Sequence, residues 1–451
     1  MGGHPRGLYV LAATELAERF SYYGMTSLLA LYMVKQLLLP DQAGDVIGLE
    51  GLRSLMEWRG PMSDQAFASL IYGWYGGLVY FTPILGGMLA DRVMGAKRTV
   101  MLGALLMAAG HMAMSFDATF LGALLLLILG SGLLKGNISA QVGALYAPDA
   151  ESERTRGFTI FSTGINIGAV LGPLATGGVA ALYGWHAGFA LAAGVMFVAL
   201  AIYILGQRFL SDQRPVSSER EHLPPLTQDE KLRSWALVGL ILLTVIPNIA
   251  YTMIWSVGII WVDERVDLAT PLGSVPPNWF TSIDAFASIA VVPLLLGLWA
   301  ALARRGREPG SMAKFGIGAA ITGVSALMFV AGELVAGANA QVSVWWAIAG
   351  YFGMGAAFMW YWPTLLTVIS QAAPPKLNAT LVSASYLSFF AGITIMGWVG
   401  SFYSEMDKVA FWLVDAAIGF AGALIVWLIH KPLSKKLGAA SCAPARPRSR
   451  R

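Results

Sequence analysis

Apolar stretches of about 20 residues or more recur along the whole chain, each long enough to cross a hydrocarbon core of roughly 30 Å as a helix. Their period is helical or uniformly apolar, not the ten-residue alternation of barrel strands. Twelve spans are expected: 8–39, 66–90, 98–115, 119–146, 157–182, 185–211, 233–262, 277–302, 312–335, 342–371, 377–402 and 407–433. Composition agrees, since 12% of the 451 residues are charged against about 25% in a soluble chain. The expected fold class is therefore an all-α, multi-pass integral membrane protein. The stretch from Leu8 to Leu39 is too long for a signal-peptide core and ends without a small-residue cleavage motif. The single cysteine, Cys442, lies in the C-terminal tail, which leaves no disulfide framework.

The loops alternate in charge. One set carries Arg92, Lys97 and Arg98, then Arg154 and Arg156, then Arg208 to Arg233, then Arg304, Arg305, Arg307 and Lys314. The other set is poor in Lys and Arg; its longest member, 40–65, sets five acids against Arg53 and Arg59. The positive-inside rule then places both termini in the cytoplasm. Because the basic residues cluster in short loops, the pI near 9.0 reflects membrane topology, and nucleic acid is not an expected partner. A polar, proline-bearing segment divides six spans from six. The expected domains are a six-helix bundle over 1–211, a cytoplasmic linker at 212–232, a second bundle over 233–433, and a disordered cytoplasmic tail at 434–451. That tail is basic and either touches anionic lipid head groups or has no role. Two six-helix halves resemble the major facilitator architecture, although other twelve-span carriers share the topology.

Three stretches carry chemistry. "GGMLADRVMGAKRT" (86–99) joins the second and third spans and resembles the signature loop of the major facilitator superfamily. Asp91 and Arg92 are its candidate gating residues, and Gly86 and Gly87 allow close helix approach. In "TELAERFSYYGM" (14–25), Glu15, Glu18, Arg19, Tyr22 and Thr26 fall on one helical face, with Tyr23 at its margin. Each charge at the bilayer centre costs about 2.5–3.5 kcal/mol on insertion scales, which an inward-facing cluster of both signs offsets. Glu15 and Arg19 are spaced to pair directly. "GSGLLKGNIS" (130–139) puts Lys135 among small residues, Ser131, Gly132 and Ser139, either as part of a cavity wall or paired permanently with Glu15 or Glu18. "FTIFSTGINIGAVLGP" (158–173) sets Gly164, Gly168 and Gly172 on a packing face, leaving Asn166 to bind substrate or to join helices. There is no metal-ligand cluster, no phosphate-binding loop and no catalytic triad, so an enzyme is not expected.

Together these stretches resemble the proton-dependent oligopeptide transporters. "ELAERFSYYG" is similar to that family's first-helix motif E-x-x-E-R-F-x-Y-Y-G, "FSTGINIG" is a looser form of its fifth-helix motif, and the fourth-helix lysine corresponds. The resemblance is strong over about 8–180 and fainter through "DERV", "NWFTSIDAF" and "ISQAAP". It implies symport of di- and tripeptides driven by protons, with no other cofactor, in a monomer of the bacterial-type inner membrane surrounded by lipid. It implies further that Glu15, Glu18, Arg19 and Lys135 couple the proton. Arg19 and Lys135 would hold the peptide carboxylate, and Tyr22, Tyr23, Tyr80 and Asn166 would contact the peptide. The chain departs from the family pattern in several places. The linker is too short for the two extra helices of most bacterial relatives. A second-helix histidine of some members falls at Gly73. Two family glutamates, in the seventh and tenth helices, fall at Thr252 and Phe358, while Asp284 stands where the pattern has asparagine. Asp284 either takes over the amine-binding role or is a helix-start residue near the outer surface. The aromatics around Phe358, namely Trp360, Tyr361 and Trp362 with Tyr351 and Phe352, are expected to line the cavity or to anchor at the lipid interface. A same-fold carrier of another small amphiphile or anion, and a non-transporting peptide sensor, share these features.

Overall fold

The computed structural model describes residues 4–437 except 59, 148–149, 211–225, 272 and 375. The described chain is almost wholly helical: α1 (Arg6–Tyr32), α2 (Leu49–Met56), α3 (Asp64–Leu89), α4 (Ala96–Ala113), α5 (Phe120–Ala144), α6 (Glu151–Tyr183), α7 (Trp185–Gly206), α8 (Gln228–Met253), α9 (Val257–Arg265), α10 (Phe280–Arg304), α11 (Ser311–Ala336), α12 (Val344–Ala372), α13 (Asn378–Gly400) and α14 (Lys408–Leu437). A two-stranded antiparallel ribbon, β1 (Ala269–Thr270) and β2 (Gly273–Ser274), pairs Ala269 with Ser274 between α9 and α10. Among the described residues, nine helical stretches are long and apolar enough to cross a membrane. The more polar α1, α3 and α4 are not among the nine.

The expected spans and the helices overlap throughout, with differences at the seventh span, at the starts of α6 and α8 and at the end of α14; α6 begins at Glu151, six residues before the expected 157. The seventh span is broken: α8 ends at Met253, α9 starts at Val257, and Ser256 adopts φ −120°, ψ −83°. Neither Gly nor Pro marks that break in the sequence. α8 begins five residues before the expected span, inside the expected linker, because Thr227 and Glu230 form a capping box, with the Thr227 N–H donating to the Glu230 carboxylate at 2.8 Å. α14 runs on to Leu437, past the expected boundary at 433. The rest of the linker, 211–225, and the tail from 438 lie outside the described residues.

The glycine face of α6 seats α1. A β-carbon at Gly164 would lie 2.9 Å from the Ala12 carbonyl oxygen, and one at Gly172 would lie 2.4 Å from that of Phe20. At Gly168 it would meet the Leu16 carbonyl oxygen at 2.5 Å and the Arg19 β-carbon at 2.8 Å. The two backbones therefore approach closely only because α6 lacks side chains there, and that approach fixes the rotation of α1 that turns its charged face inward.

The two halves of the chain touch mainly toward one end, the end that bears the 40–65 loop. There Gly73 of α3 meets Gly397 of α13 so closely that a β-carbon at Gly73 would lie 2.7 Å from the Gly397 α-carbon. No histidine fits at this position. Lys35 pairs with Asp263 at 2.5 Å. Trp279 Nε1 donates to the Leu174 carbonyl at 2.9 Å, and the Ser282 hydroxyl donates to that of Val170 at 2.8 Å. Toward the other end α6 is largely uncovered, with Ser162, Thr163 and Asn166 exposed.

Replacing Gly168 with Ala is expected to destabilise the protein by roughly 1–3 kcal/mol through overpacking. Thermal unfolding in detergent checks this, and a midpoint unchanged from the native protein would contradict the close packing of α1 on α6.

Candidate functional site

α1 carries Glu15, Glu18 and Arg19 on the face pressed into the bundle, where they are 4%, 0% and 6% exposed. The Arg19 Nε lies 3.0 Å from Glu15 Oε1 and also pairs with Glu18. Arg19 therefore bridges two carboxylates one helical turn apart; the i, i+4 spacing accounts for the Glu15 pair, while Glu18 is its neighbour in the chain. Lys135, on α5, makes no ion pair among the described residues. Its ammonium sits 4.2 Å from the centre of the Tyr22 ring and 4.9 Å from that of Tyr80, so ring faces take the place of an anion. Permanent pairing of Lys135 with Glu15 or Glu18 is not what the structure has.

Two cavities adjoin this cluster. The larger, of about 500 Å³, is bounded by Glu15, Arg19, Tyr23, Tyr80, Lys135 and Trp362 among others. The smaller, of about 140 Å³, is bounded by Tyr72, Asn166, Tyr251, Trp255, Asp284 and Phe358 among others. Tyr23 and Ile165 belong to both walls. Glu18 borders neither cavity, whereas Glu15 borders the larger one. One chamber thus holds two cations with a partner acid, and its neighbour holds a lone carboxylate.

That carboxylate is Asp284, four residues after the start of α10 and 5% exposed. It is a chamber residue rather than an outer-surface one. Asp284 Oδ2 accepts from the Tyr251 hydroxyl and from Trp255 Nε1, each at 3.2 Å. Trp255 reaches it from the break between α8 and α9. Gly355 on α12 makes room, since a β-carbon there would lie 2.3 Å from the Asp284 carbonyl oxygen and 3.0 Å from Oδ1. Sequence reasoning missed Tyr251, Trp255 and Gly355. A polar-aromatic run in "NIAYTMIWS" was the available signal, but without the helix break its two rings have no common target.

Other expected residues are placed differently. Phe358 lines the smaller chamber and stacks on Tyr251 at 5.0 Å between centroids, and Trp362 lines the larger one. Trp360 instead packs with Val291 and Leu295 in a separate apolar cluster, and the Tyr361 hydroxyl donates to Asn248 Oδ1 at 2.9 Å inside the bundle. Tyr351 is fully buried with its hydroxyl on the Ile254 carbonyl, and Phe352 borders neither chamber. Helical rotation puts only every third or fourth of these rings on the cavity. Thr252 is fully buried, and its hydroxyl donates to the Asn248 carbonyl at 2.7 Å; it faces neither chamber. Gly132 packs against Thr82 and does not open space at Lys135, a role that falls to Gly136 at the cavity wall. Asn166 is exposed at the mouth of the smaller chamber. Asp91 and Arg92 are exposed on the turn at the end of α3, away from both chambers.

Comparison with known proteins bears on this arrangement. A family model described as "POT family" matches residues 97–222 and 226–414. A di-/tripeptide transporter of Lactococcus lactis subsp. cremoris is 29% identical over 97% of both chains. A peptide transporter of Yersinia enterocolitica is 26% identical over 95% of this chain and 94% of its own length. The crystal structure of a peptide transporter POT in complex with sulfate superposes with a TM-score of 0.84 at 26% identity, covering 97% of this chain and 96% of that one. A mutant of a peptide transporter POT solved with alafosfalin gives the same TM-score, 0.84, at 26% identity and the same coverage, 97% and 96%.

Removing the Asp284 carboxylate would leave the Tyr251 and Trp255 donors buried without an acceptor, at a cost of roughly 1–3 kcal/mol. Asp284→Ala is expected to unfold at a lower temperature than Asp284→Asn, which keeps an acceptor oxygen. Equal midpoints for the two variants and the native protein, read by tryptophan fluorescence, would show that these hydrogen bonds do not hold the chamber together.

Proposed function

The chain belongs to the POT family, and on that premise we propose that it is a proton-coupled symporter of di- and tripeptides in a bacterial-type inner membrane. The observation that carries the reading is the pair of adjoining chambers of opposite charge, with Arg19 and Lys135 at one and Asp284 at the other. A zwitterionic peptide lying across the shared wall at Tyr23 would meet a cation at its carboxylate and an anion at its amine. Tyr22, Tyr80, Asn166, Phe358 and Trp362 would contact its body.

Charge balance supplies the coupling. Glu15, Glu18, Arg19 and Lys135 together are neutral when all are ionised. A peptide carboxylate entering beside Arg19 adds one negative charge to a low-dielectric site, which is costly unless neutralised. A proton on the glutamate pair neutralises it and frees the guanidinium to turn toward the peptide. The two glutamates share one arginine, with Glu15 facing the larger cavity and Glu18 walled off behind it. The proton is the only coupling species the scheme needs.

The twelve long helices, α1, α3 to α8 with α9, and α10 to α14, are read as the two six-helix bundles of a major facilitator fold working as a monomer. With the basic loops inside, both termini are cytoplasmic, the contacts at Gly73–Gly397 and Lys35–Asp263 close the outer end, and the uncovered face of α6 belongs to an inward-facing state. Asp91 and Arg92, exposed on the five-residue turn that follows α3, would latch the inner end when the outer end opens.

The test is uptake of labelled dialanine into proteoliposomes under an imposed proton gradient. Glu18→Gln and Arg19→Ala are each expected to lower gradient-driven uptake by at least about tenfold, because the first leaves the buried cluster one negative charge short and the second takes from both glutamates the arginine they share. Full proton-driven accumulation in both variants would refute the coupling scheme. Binding without accumulation in the native protein would identify a sensor, and displacement by simple anions but not by dipeptides would identify a different cargo.

A further inference from the structure

The two chambers that adjoin at Tyr23 and Ile165 differ in size as well as in charge. The one with Asp284 holds about 140 Å³, and the one with Arg19 and Lys135 about 500 Å³. At roughly 30 Å³ for each water-sized group, the smaller volume takes about four to five heavy atoms. That is the ammonium, α-carbon and methyl of an amino-terminal alanine with its carbonyl group, and a phenyl or indole ring does not fit beside them. The larger volume takes about sixteen on the same scale, which is room for a carboxy-terminal residue with a large side chain. Asp284 receives one phenol O–H and one indole N–H, so it keeps acceptor positions for a primary amine, and Gly355 leaves space beside it. An amine bound there draws the first residue of a peptide fully into the smaller chamber.

The walls of that chamber have no ready way to part. Phe358 lies in a stack between Tyr251, at 5.0 Å and 12°, and Trp362, at 6.0 Å and 14°. The outer rings of the stack are themselves held, Tyr251 by its hydroxyl on Asp284 at 3.2 Å and Trp362 by edge-on contact with Phe389 at 4.7 Å. Phe358 therefore cannot swing aside without breaking the stack. Across the chamber, α6 presents Ala169 and Pro173, neither of which has a side chain that can rotate away. Thr26 and Ser27 of α1 are tied down by their hydroxyls, which donate to the Tyr22 and Gly24 carbonyls at 2.9 and 2.8 Å. The helices behind these walls are joined in turn, α1 to α6 along the glycine ladder and α10 to α6 through Ser282 and Trp279. The larger chamber is built differently: Gly136, Ser139 and Ser383 are small, and Pro83, Ile84 and Trp362 offer apolar surface.

We propose that this step in size sorts dipeptides by the order of their residues, so that the preferred substrates carry a small residue at the amino end and a large apolar or aromatic one at the carboxyl end. Phe358 sets the limit at the amino end. This rests on the symporter reading for the orientation of the peptide, with its amine at Asp284 and its carboxylate at Arg19 and Lys135. It goes beyond that reading in naming the substrate class and the residue that selects it.

Dipeptide pairs made of the same two residues in opposite order test this. Ala-Leu against Leu-Ala, Ala-Phe against Phe-Ala and Ala-Trp against Trp-Ala differ in order while composition and charge stay the same. Each competes with labelled dialanine for uptake, and each is titrated against the purified protein by thermal shift. The alanine-first members are expected to stay within about threefold of dialanine, and the alanine-second members to bind at least about tenfold more weakly, with the gap widening from Leu to Trp. Phe358→Ala is expected to bring Phe-Ala within about threefold of Ala-Phe, a change of ratio that a general loss of stability does not produce. An unchanged ratio in that variant would remove Phe358 as the limiting wall, and the native pairs decide the size step even if the variant does not fold. Equal binding within each pair, or a preference for the large-first member, would overturn the proposal with uptake intact. The expected order of binding without any uptake of dialanine would count against the symporter reading alone. Absence of binding by every dipeptide would overturn both.

Discussion

An unpaired charge in a low-dielectric bundle is expensive, and the site is organised around three different answers to that cost. Arg19 is answered by two carboxylates from its own helix. Lys135 is answered by the rings of Tyr22 and Tyr80. Asp284 is answered by two neutral donors, a phenol and an indole. Only the first of these is an ion pair between two protein groups. Among the described residues the other two groups have no counter-ion of their own. They are the places where a charged ligand gains most by arriving.

The first half of this arrangement could be read from the sequence because it is local. Glu15, Glu18 and Arg19 lie within five residues, and helical geometry alone puts them on one face. The glycine ladder at 164, 168 and 172 is equally local, and it lands on the α1 backbone beside Arg19. The second half is built from contacts distant in sequence. Asp284 gains its meaning from Tyr251 and Trp255, which meet it only because α8 breaks at a point with no proline or glycine to announce it. Likewise, periodicity places Trp360, Tyr361 and Trp362 around a helix without saying which faces the opposite half. Span boundaries follow from hydropathy to within a few residues. The early start of α8 depends on a capping box that hydropathy does not register.

Tyr23 and Ile165 form the common wall of the two chambers, and they come from α1 and α6, the helices held together by the glycine ladder. The wall and the arginine therefore share one mount. A shift of α1 along α6 would move Tyr23 and Arg19 together, changing the separation of the chambers and the position of the guanidinium in a single displacement. On the other side, α10 carries Asp284 and is tied to α6 through Ser282 and Trp279. The chamber that holds the carboxylate is thus connected to the same helix that seats Arg19.

The meeting of Gly73 and Gly397 has an electrical consequence. Two α-carbons in near contact leave no room for water between α3 and α13 at that point. Water conducts protons along its hydrogen bonds, so a seal made of backbone alone is an insulator. If this contact closes the outer end as proposed, the membrane voltage, worth about 2.3 kcal/mol per elementary charge for each 100 mV, would fall across a septum of protein there. A larger side chain at either glycine would wedge this septum open and short the circuit that drives the carrier.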